Sequence, residues 1–237
     1  MPSPYAARLA QIEWWHVAQG LDADGWARLG ALLTRRECDT IAAWFERDAR
    51  FRSTVDMARH GFGRGTYRYF AEPVPAPIAA LRRALYARLA PIANAWAEAL
   101  GEAARYPPRF VAFQAQCRAA GQTRPTPLLL RYRPGDYNCL HQDRYGDIAF
   151  PLQVVVPLSR PGADYSGGEL LFVEQRPRGQ SRGSAVTPAA GEGVAFANAA
   201  RPLRGRRGFY RVQLRHGVSV LTAGERLALG IIFHDAR

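Results

Sequence analysis

The sequence predicts an α+β protein in which a largely helical first half leads into an antiparallel β structure of the sandwich, jelly-roll or barrel kind. Residues 35–50 and 77–100 carry apolar side chains at helical spacing, and from about Pro127 the texture changes to short β-branched and aromatic runs broken by Gly, Pro and Asp. No helical pattern separates those runs, which indicates antiparallel pairing. The chain has 237 residues, enough for one well-buried core.

Thr34-Arg35-Arg36-Glu37 fits a capping box, and Cys38, Ile41, Ala42 and Phe45 then recur on one helical face, so a helix is expected over about 35–50. Leu81, Leu85, Leu89 and Ile92 mark a second helical tract, where Pro91 removes a hydrogen-bond donor and predicts a kink or two short helices. The strand runs are 128–132, 138–141, 148–158, 169–173, 193–198, 209–216, 218–221 and 227–234, about eight strands in all. The arginine-rich stretch from Gln175 to Ser184 is the expected mobile loop. On this reading residues 1–125 form an N-terminal helical portion that covers the site, and 126–237 form the β core of the same domain.

Composition narrows the functional classes. With 48% hydrophobic and 22% charged residues the chain is globular, and no apolar run approaches the roughly 20 residues that span a bilayer. The start Met1-Pro2-Ser3-Pro4-Tyr5 has neither a basic nor an apolar leader segment, so a cytoplasmic location and no membrane partner are expected. Cys38, Cys117 and Cys139 are widely separated, against a disulfide framework or a cysteine zinc site. The net charge is +12 and every basic residue is arginine, which keeps nucleic acid open as a partner; the oligomeric state is not legible.

Five histidines are present, and His141 is the informative one. In His141-Gln142-Asp143 an imidazole and a carboxylate stand two residues apart, on the same side of an extended chain. His216 ends another strand run 75 residues later, and Arg226 begins the next run ten residues after that. Two histidines and one carboxylate on one face of a metal leave adjacent positions open, as in non-haem Fe(II) oxygenases, and a guanidinium suits the distant carboxylate of a chelating 2-oxo acid. His234 is a weaker rival as third ligand, because only three residues follow it. Tyr132 shares a strand face with Leu128 and Leu130, so its hydroxyl is expected inside the β core, at the oxo acid or simply packed. Gln153 lies in the apolar run 150–158 and needs a partner if buried, either the co-substrate or a neighbouring strand.

On these residues the sequence resembles the Fe(II)/2-oxoglutarate-dependent dioxygenases, whose signature is HxD, a distal His and an Arg or Lys about ten residues on. The resemblance covers 128–237, and the spacing of Tyr132 to His141 and the Gly167-Gly168-Glu169-Leu170 turn are similar to those of prolyl 4-hydroxylases. Arg215-His216-Gly217-Val218-Ser219 and the ending Leu229 to Asp235 also resemble a bacterial family of small oxygenases, described by similarity to AlkB as acting in oxidative demethylation of damaged nucleic acid. The resemblance implies a double-stranded β-helix, Fe(II) on His141, Asp143 and His216, 2-oxoglutarate on Arg226, and dioxygen as oxidant. AlkB-type enzymes carry a second arginine six positions after the first, and here position 232 is Ile232.

Demethylation of nucleic acid is therefore the expected activity. The alternatives are a prolyl-type hydroxylase of a polypeptide and a basic jelly-roll module that binds without turnover. The segment Gly61 to Phe70 interleaves arginines, aromatics and glycines, which suits base stacking and phosphate contact, so Arg64, Tyr67 and Tyr69 are the expected substrate residues. A second basic stretch runs from Arg201 to Arg215.

Overall fold

The apolar and β-branched runs assemble into two facing sheets, and the helices pack around them. The computed structural model describes residues 4–143 and 146–237; residues 1–3, part of the segment read above as free of a leader, lie outside them. In the first half, α1 (Pro4–Ala10), α2 (Trp14–Asp24), β1 (Trp26–Ala31), α3 (Arg35–Ala42), β2 (Phe51–Asp56), β3 (Gly63–Arg64), β4 (Thr66–Phe70), α4 (Ala76–Ala99) and α5 (Phe110–Ala119) follow in order. The second half continues with β5 (Leu128–Tyr132), β6 (Tyr137–His141), β7 (Leu152–Pro157), β8 (Tyr165–Gly167), β9 (Leu170–Gln175) and β10 (Arg182–Val186). It ends with β11 (Glu192–Ala197), β12 (Ala200–Gly205), β13 (Gly208–Val218), β14 (Leu221–Gly224) and β15 (Arg226–Ile232).

The major sheet has seven strands in the order β1-β11-β7-β15-β5-β4-β2. The minor sheet runs β10-β9-β13-β6-β3, with β12 also on β13, and β14 pairs with β8. Among the described residues the strand-to-strand ladders are antiparallel, and they stay separate instead of closing into a barrel. No described helix is long and apolar enough to cross a membrane.

The first half is less helical than its sequence suggests, because β1, β2 and β4 complete the major sheet. The aromatic run Thr66–Phe70 alternates strictly, as a strand does: Tyr67 and Tyr69 face one side, Arg68 and Phe70 the buried other. The helix expected over 35–50 stops at Ala42 and gives way to two 3-10 turns, Ala43–Glu46 and Asp48–Arg50. Arg68 holds that turn, donating to the Phe45 carbonyl at 2.5 Å and to the Asp48 carboxylate at 2.6 Å. The capping box forms as read, with the Thr34 hydroxyl accepting from Glu37 N–H and the Glu37 carboxylate accepting from Thr34 N–H.

Of the two expected outcomes at Pro91, the two short helices do not form: α4 runs through it as one helix. Both Pro91 and Ala87, whose carbonyl loses its donor, are exposed, on the side of the helix away from the core. On the opposite face Leu81, Leu85, Tyr86, Leu89 and Ala93 enter a core that continues through Leu129, Val156 and Ile231 of the sheet. The ring of Tyr86 lies 5.1 Å from Phe150 and 5.2 Å from Phe113, contacts that each add about 0.5–1.5 kcal/mol beyond their buried area. Arg82 on the same helix is buried and donates to the carbonyls of Ile232 (2.9 Å) and Phe233 (2.8 Å) and to the Asp235 carboxylate (2.7 Å). That clamp fixes the exit of β15.

The stretch expected to be a mobile loop at 175–184 is the turn of the β9–β10 hairpin. Glu174 anchors it by accepting from Arg176 at 2.7 Å and pairing with Arg182 at 3.5 Å.

Candidate metal centre and co-substrate pocket

A cavity of about 370 Å³ opens between the two sheets, in the size range of small-molecule sites. His141, at the end of β6, and His216, on β13, are directly paired in the minor-sheet register, which brings their rings to 4.2 Å between centroids. Asp143 follows two residues after His141 and is 6% exposed. Its Oδ1 lies 3.5 Å from His141 Nε2 and its Oδ2 lies 3.2 Å from His216 Nε2. Ligand atoms from all three residues fall within 4.8 Å of one another, close enough to converge on one ion.

The protonation of the centre favours metal. His141 Nδ1–H donates to the Cys139 carbonyl at 2.8 Å, so the Nε2 lone pair faces Asp143. Burial, reinforced by the neighbouring His216, lowers His141 from the ordinary imidazole value. The ring of Phe196 packs 4.7 Å from that of His216; sequence reasoning missed this support, whose only signal was the apolar run of β11.

Deeper in the cavity, Arg226 opens β15 directly opposite Tyr132 on β5. Its guanidinium lies 5.4 Å from the Tyr132 ring and 6.0 Å from Tyr165, and the residue is 2% exposed. Burial pushes the Tyr132 hydroxyl up to about 12, although the nearby Arg226 charge pulls it down. The Gly-Gly turn makes room for this arginine, since a Cβ on Gly168 would come within 3.0 Å of Arg226 Cδ.

These residues fit Fe(II) and a 2-oxo dicarboxylate. Two imidazoles and one carboxylate form a facial donor set, Arg226 Nε is buried without a hydrogen-bond partner, and the Tyr132 hydroxyl near it has Asn138 as its neighbour. A buried guanidinium nitrogen left unmatched is costly, and a carboxylate lying beside the arginine and the tyrosine would satisfy it.

Other sequence candidates fall elsewhere or act differently. Gln153, expected to bond the co-substrate or a neighbouring strand if buried, lines the cavity; its Nε2 donates to Asp143 Oδ2 at 2.8 Å and lies 3.1 Å from His216 Nε2 on β13. Tyr67 and Tyr69 line the cavity with their rings in a 5.4 Å edge contact. Arg64 does not, because β3 sets it in a separate surface cleft beside Asp56, Arg131 and Arg133. His234 is no rival ligand: it is fully buried, and its Nδ1 accepts from Phe150 N–H at 3.2 Å. Of the second basic stretch, Arg201 is buried against Glu174, while Arg204, Arg206 and Arg207 lie exposed at the β12–β13 turn.

Comparison with known proteins agrees with this geometry. Residues 65–236 match the family Oxygenase-NA, described as "Oxygenase, catalysing oxidative methylation of damaged DNA". An uncharacterised Mycobacterium tuberculosis protein, found in two strains, is 50% identical over 167 residues, covering 70% of this chain and 72% of the relative. Among solved structures, a Pseudomonas putida prolyl-4-hydroxylase aligns over 94% of this chain and 99% of its own, at 18% identity and a TM-score of 0.56. A Burkholderia pseudomallei oxidoreductase of the 2OG-Fe(II) oxygenase family aligns over 95% and 93%, at 18% identity and a TM-score of 0.55. A Trichoplax adhaerens prolyl hydroxylase, solved with a peptide fragment of hypoxia inducible factor, aligns over 94% and 89% at 15% identity and a TM-score of 0.54. At such identities the likeness is one of fold, the general double-stranded β-helix arrangement with flanking N-terminal helices. With its family match and its His141, Asp143 and His216 centre, the chain belongs to the Oxygenase-NA family and is an Fe(II)/2-oxoglutarate-dependent dioxygenase.

Proposed function

We propose that the protein hydroxylates an aliphatic C–H bond of a polypeptide side chain. The observation that carries this reading is the lining of the cavity: among the described residues Arg226 is the only cation in it, and the walls are otherwise apolar, aromatic or neutral apart from the metal ligands. At its mouth Phe62 and Leu140 are 49% and 42% exposed, a surface suited to an uncharged chain and poorly suited to phosphodiesters. The ten-residue step from His216 to Arg226, and the fold likeness to prolyl hydroxylases, support the same reading.

When bound, Fe(II) and 2-oxoglutarate supply the oxidation of a C–H bond by dioxygen, with succinate and carbon dioxide as co-products. Arg226 and the Tyr132 hydroxyl would hold the distal carboxylate of 2-oxoglutarate and so turn its oxo-acid end toward the histidines. Tyr67, Tyr69, Phe62 and Leu140 exclude water and orient the substrate carbon.

A second reading, N-demethylation of nucleic acid, draws on the family description and on the net charge of +12. It is also favoured by the β12–β13 turn, where exposed Phe209 and Tyr210 adjoin Arg204, Arg206 and Arg207. Hydroxylation of an N-methyl carbon releases formaldehyde, so the two readings have different products. The test is iron-loaded protein incubated with 2-oxoglutarate and either a peptide library or N-methylated single-stranded oligonucleotides. The polypeptide reading expects one added oxygen on a peptide, succinate in step with it, and no formaldehyde; formaldehyde from oligonucleotides with inert peptides would overturn it.

A further inference from the structure

Gln153 is a polar side chain in the apolar strand β7 (Leu-Gln-Val-Val-Val-Pro), and it is 4% exposed. A primary amide buried there is costly unless both of its hydrogens find acceptors. One goes to Asp143 Oδ2 at 2.8 Å, and the same nitrogen lies 3.1 Å from His216 Nε2. His216 Nε2 also lies 3.2 Å from Asp143 Oδ2, and His216 Nδ1 is buried with no partner, so a ring proton on Nε2 is held by the same carboxylate that the amide engages. The amide therefore hydrogen-bonds one metal ligand, Asp143, and packs against a second, His216, from a sheet that contributes no ligand itself.

We propose that Gln153 is a positioning residue for the metal centre. Its amide holds Asp143 and His216 together before the ion arrives, offsetting part of the cost of gathering these ligands. A metal would take the place of the His216 ring proton, and the amide would remain on the carboxylate. A carboxylate oxygen engaged by a neutral amide is a weaker second donor, so Asp143 would offer one oxygen and leave room for the co-substrate. The neutral amide also leaves the charge of the donor set unchanged, where Glu at this position would add a competing ligand. The inference concerns the metal centre and does not depend on the identity of the substrate.

The test compares wild type, Gln153→Leu and Gln153→Glu as full-length protein. Fe(II) and Co(II) affinities are measured anaerobically by chelator competition, the Co(II) visible spectrum is recorded, and metal-free thermal unfolding is followed in parallel. Gln153→Leu is expected to weaken metal binding about 10–100-fold, as loss of a ligand's supporting partner commonly does, and to alter the Co(II) spectrum while the metal-free protein stays folded. Gln153→Glu, nearly isosteric, is expected to shift the Co(II) spectrum and to weaken 2-oxoglutarate binding at the loaded centre. Wild-type affinity and spectrum in Gln153→Leu would overturn the proposal. Should that variant not fold, an unchanged spectrum and unchanged 2-oxoglutarate binding in Gln153→Glu would do the same.

Discussion

At Gly168 the backbone takes φ +65°, and a Cβ there would approach Leu221 Cδ1 to 2.7 Å and Arg226 Cδ to 3.0 Å. Gly168→Ala therefore both strains the turn and pushes on the guanidinium that anchors the co-substrate. The expected result is a raised KM for 2-oxoglutarate with Co(II) affinity unchanged, because the metal ligands lie on other elements. Tyr132→Phe keeps the packing and removes one donor. A hydrogen bond to a charged group contributes about 1.5–3 kcal/mol, so the KM for 2-oxoglutarate is expected to rise roughly 10–150-fold. Arg226→Lys is expected to rescue little of an Arg226→Ala loss, since an ammonium cannot reproduce the planar fork. All three effects are read in 2-oxoglutarate titrations at saturating iron.

At the scale of elements, α4 is joined to the end of β15 through buried Arg82 and Asp235. Removing one partner strands the other charge, so Arg82→Ala is expected to cost about 3–5 kcal/mol in denaturant unfolding. A loss below 1 kcal/mol would mean that the clamp contributes little. This scale also shows what the sequence could and could not convey. His141, Asp143, His216 and Arg226 were legible because metal and oxo-acid chemistry imposes residue types at strand ends with characteristic spacing. The C-terminal strands were legible because they are short β-branched and aromatic runs bounded by Gly, Pro and Asp. The strand β1 was not, because its pairing is decided by the distant Glu192 to Phe196. Arg64 looked equivalent to Tyr67 in the sequence, yet it belongs to the short strand β3, which pairs with the minor sheet, whereas Tyr67 stands on β4 of the major sheet. The role of Gln153 was hidden for a similar reason, since its partners come from the opposite sheet.

At the scale of the whole molecule, burial links stability to pH. His234 sits in the core with its ionisation pushed down to about 4 by burial, aided by the Arg82 charge. Between that value and the ordinary value of about 6.5 the unfolded chain binds the proton and the folded one does not, so stability is complete above about 6.5 and falls as pH drops toward 4. The expected loss at pH 5 is about 2 kcal/mol from this group. His234→Asn offers an acceptor to Phe150 N–H without titrating, and should flatten that part of the pH profile in urea unfolding. An equally steep profile in the variant would assign the acid loss to other groups.

Function at this scale requires both sheets at once: the minor sheet provides His141 and His216, and the major sheet provides Arg226 and Tyr132. Anaerobic titration of the full-length protein with Fe(II) and 2-oxoglutarate tests that joint arrangement most directly, through the weak visible charge-transfer band of an iron-chelated 2-oxo acid. The band is expected in the wild type, absent in Asp143→Ala, and present in Arg226→Ala only at much higher 2-oxoglutarate. A folded, iron-loaded wild type that shows no band at saturating 2-oxoglutarate would contradict it.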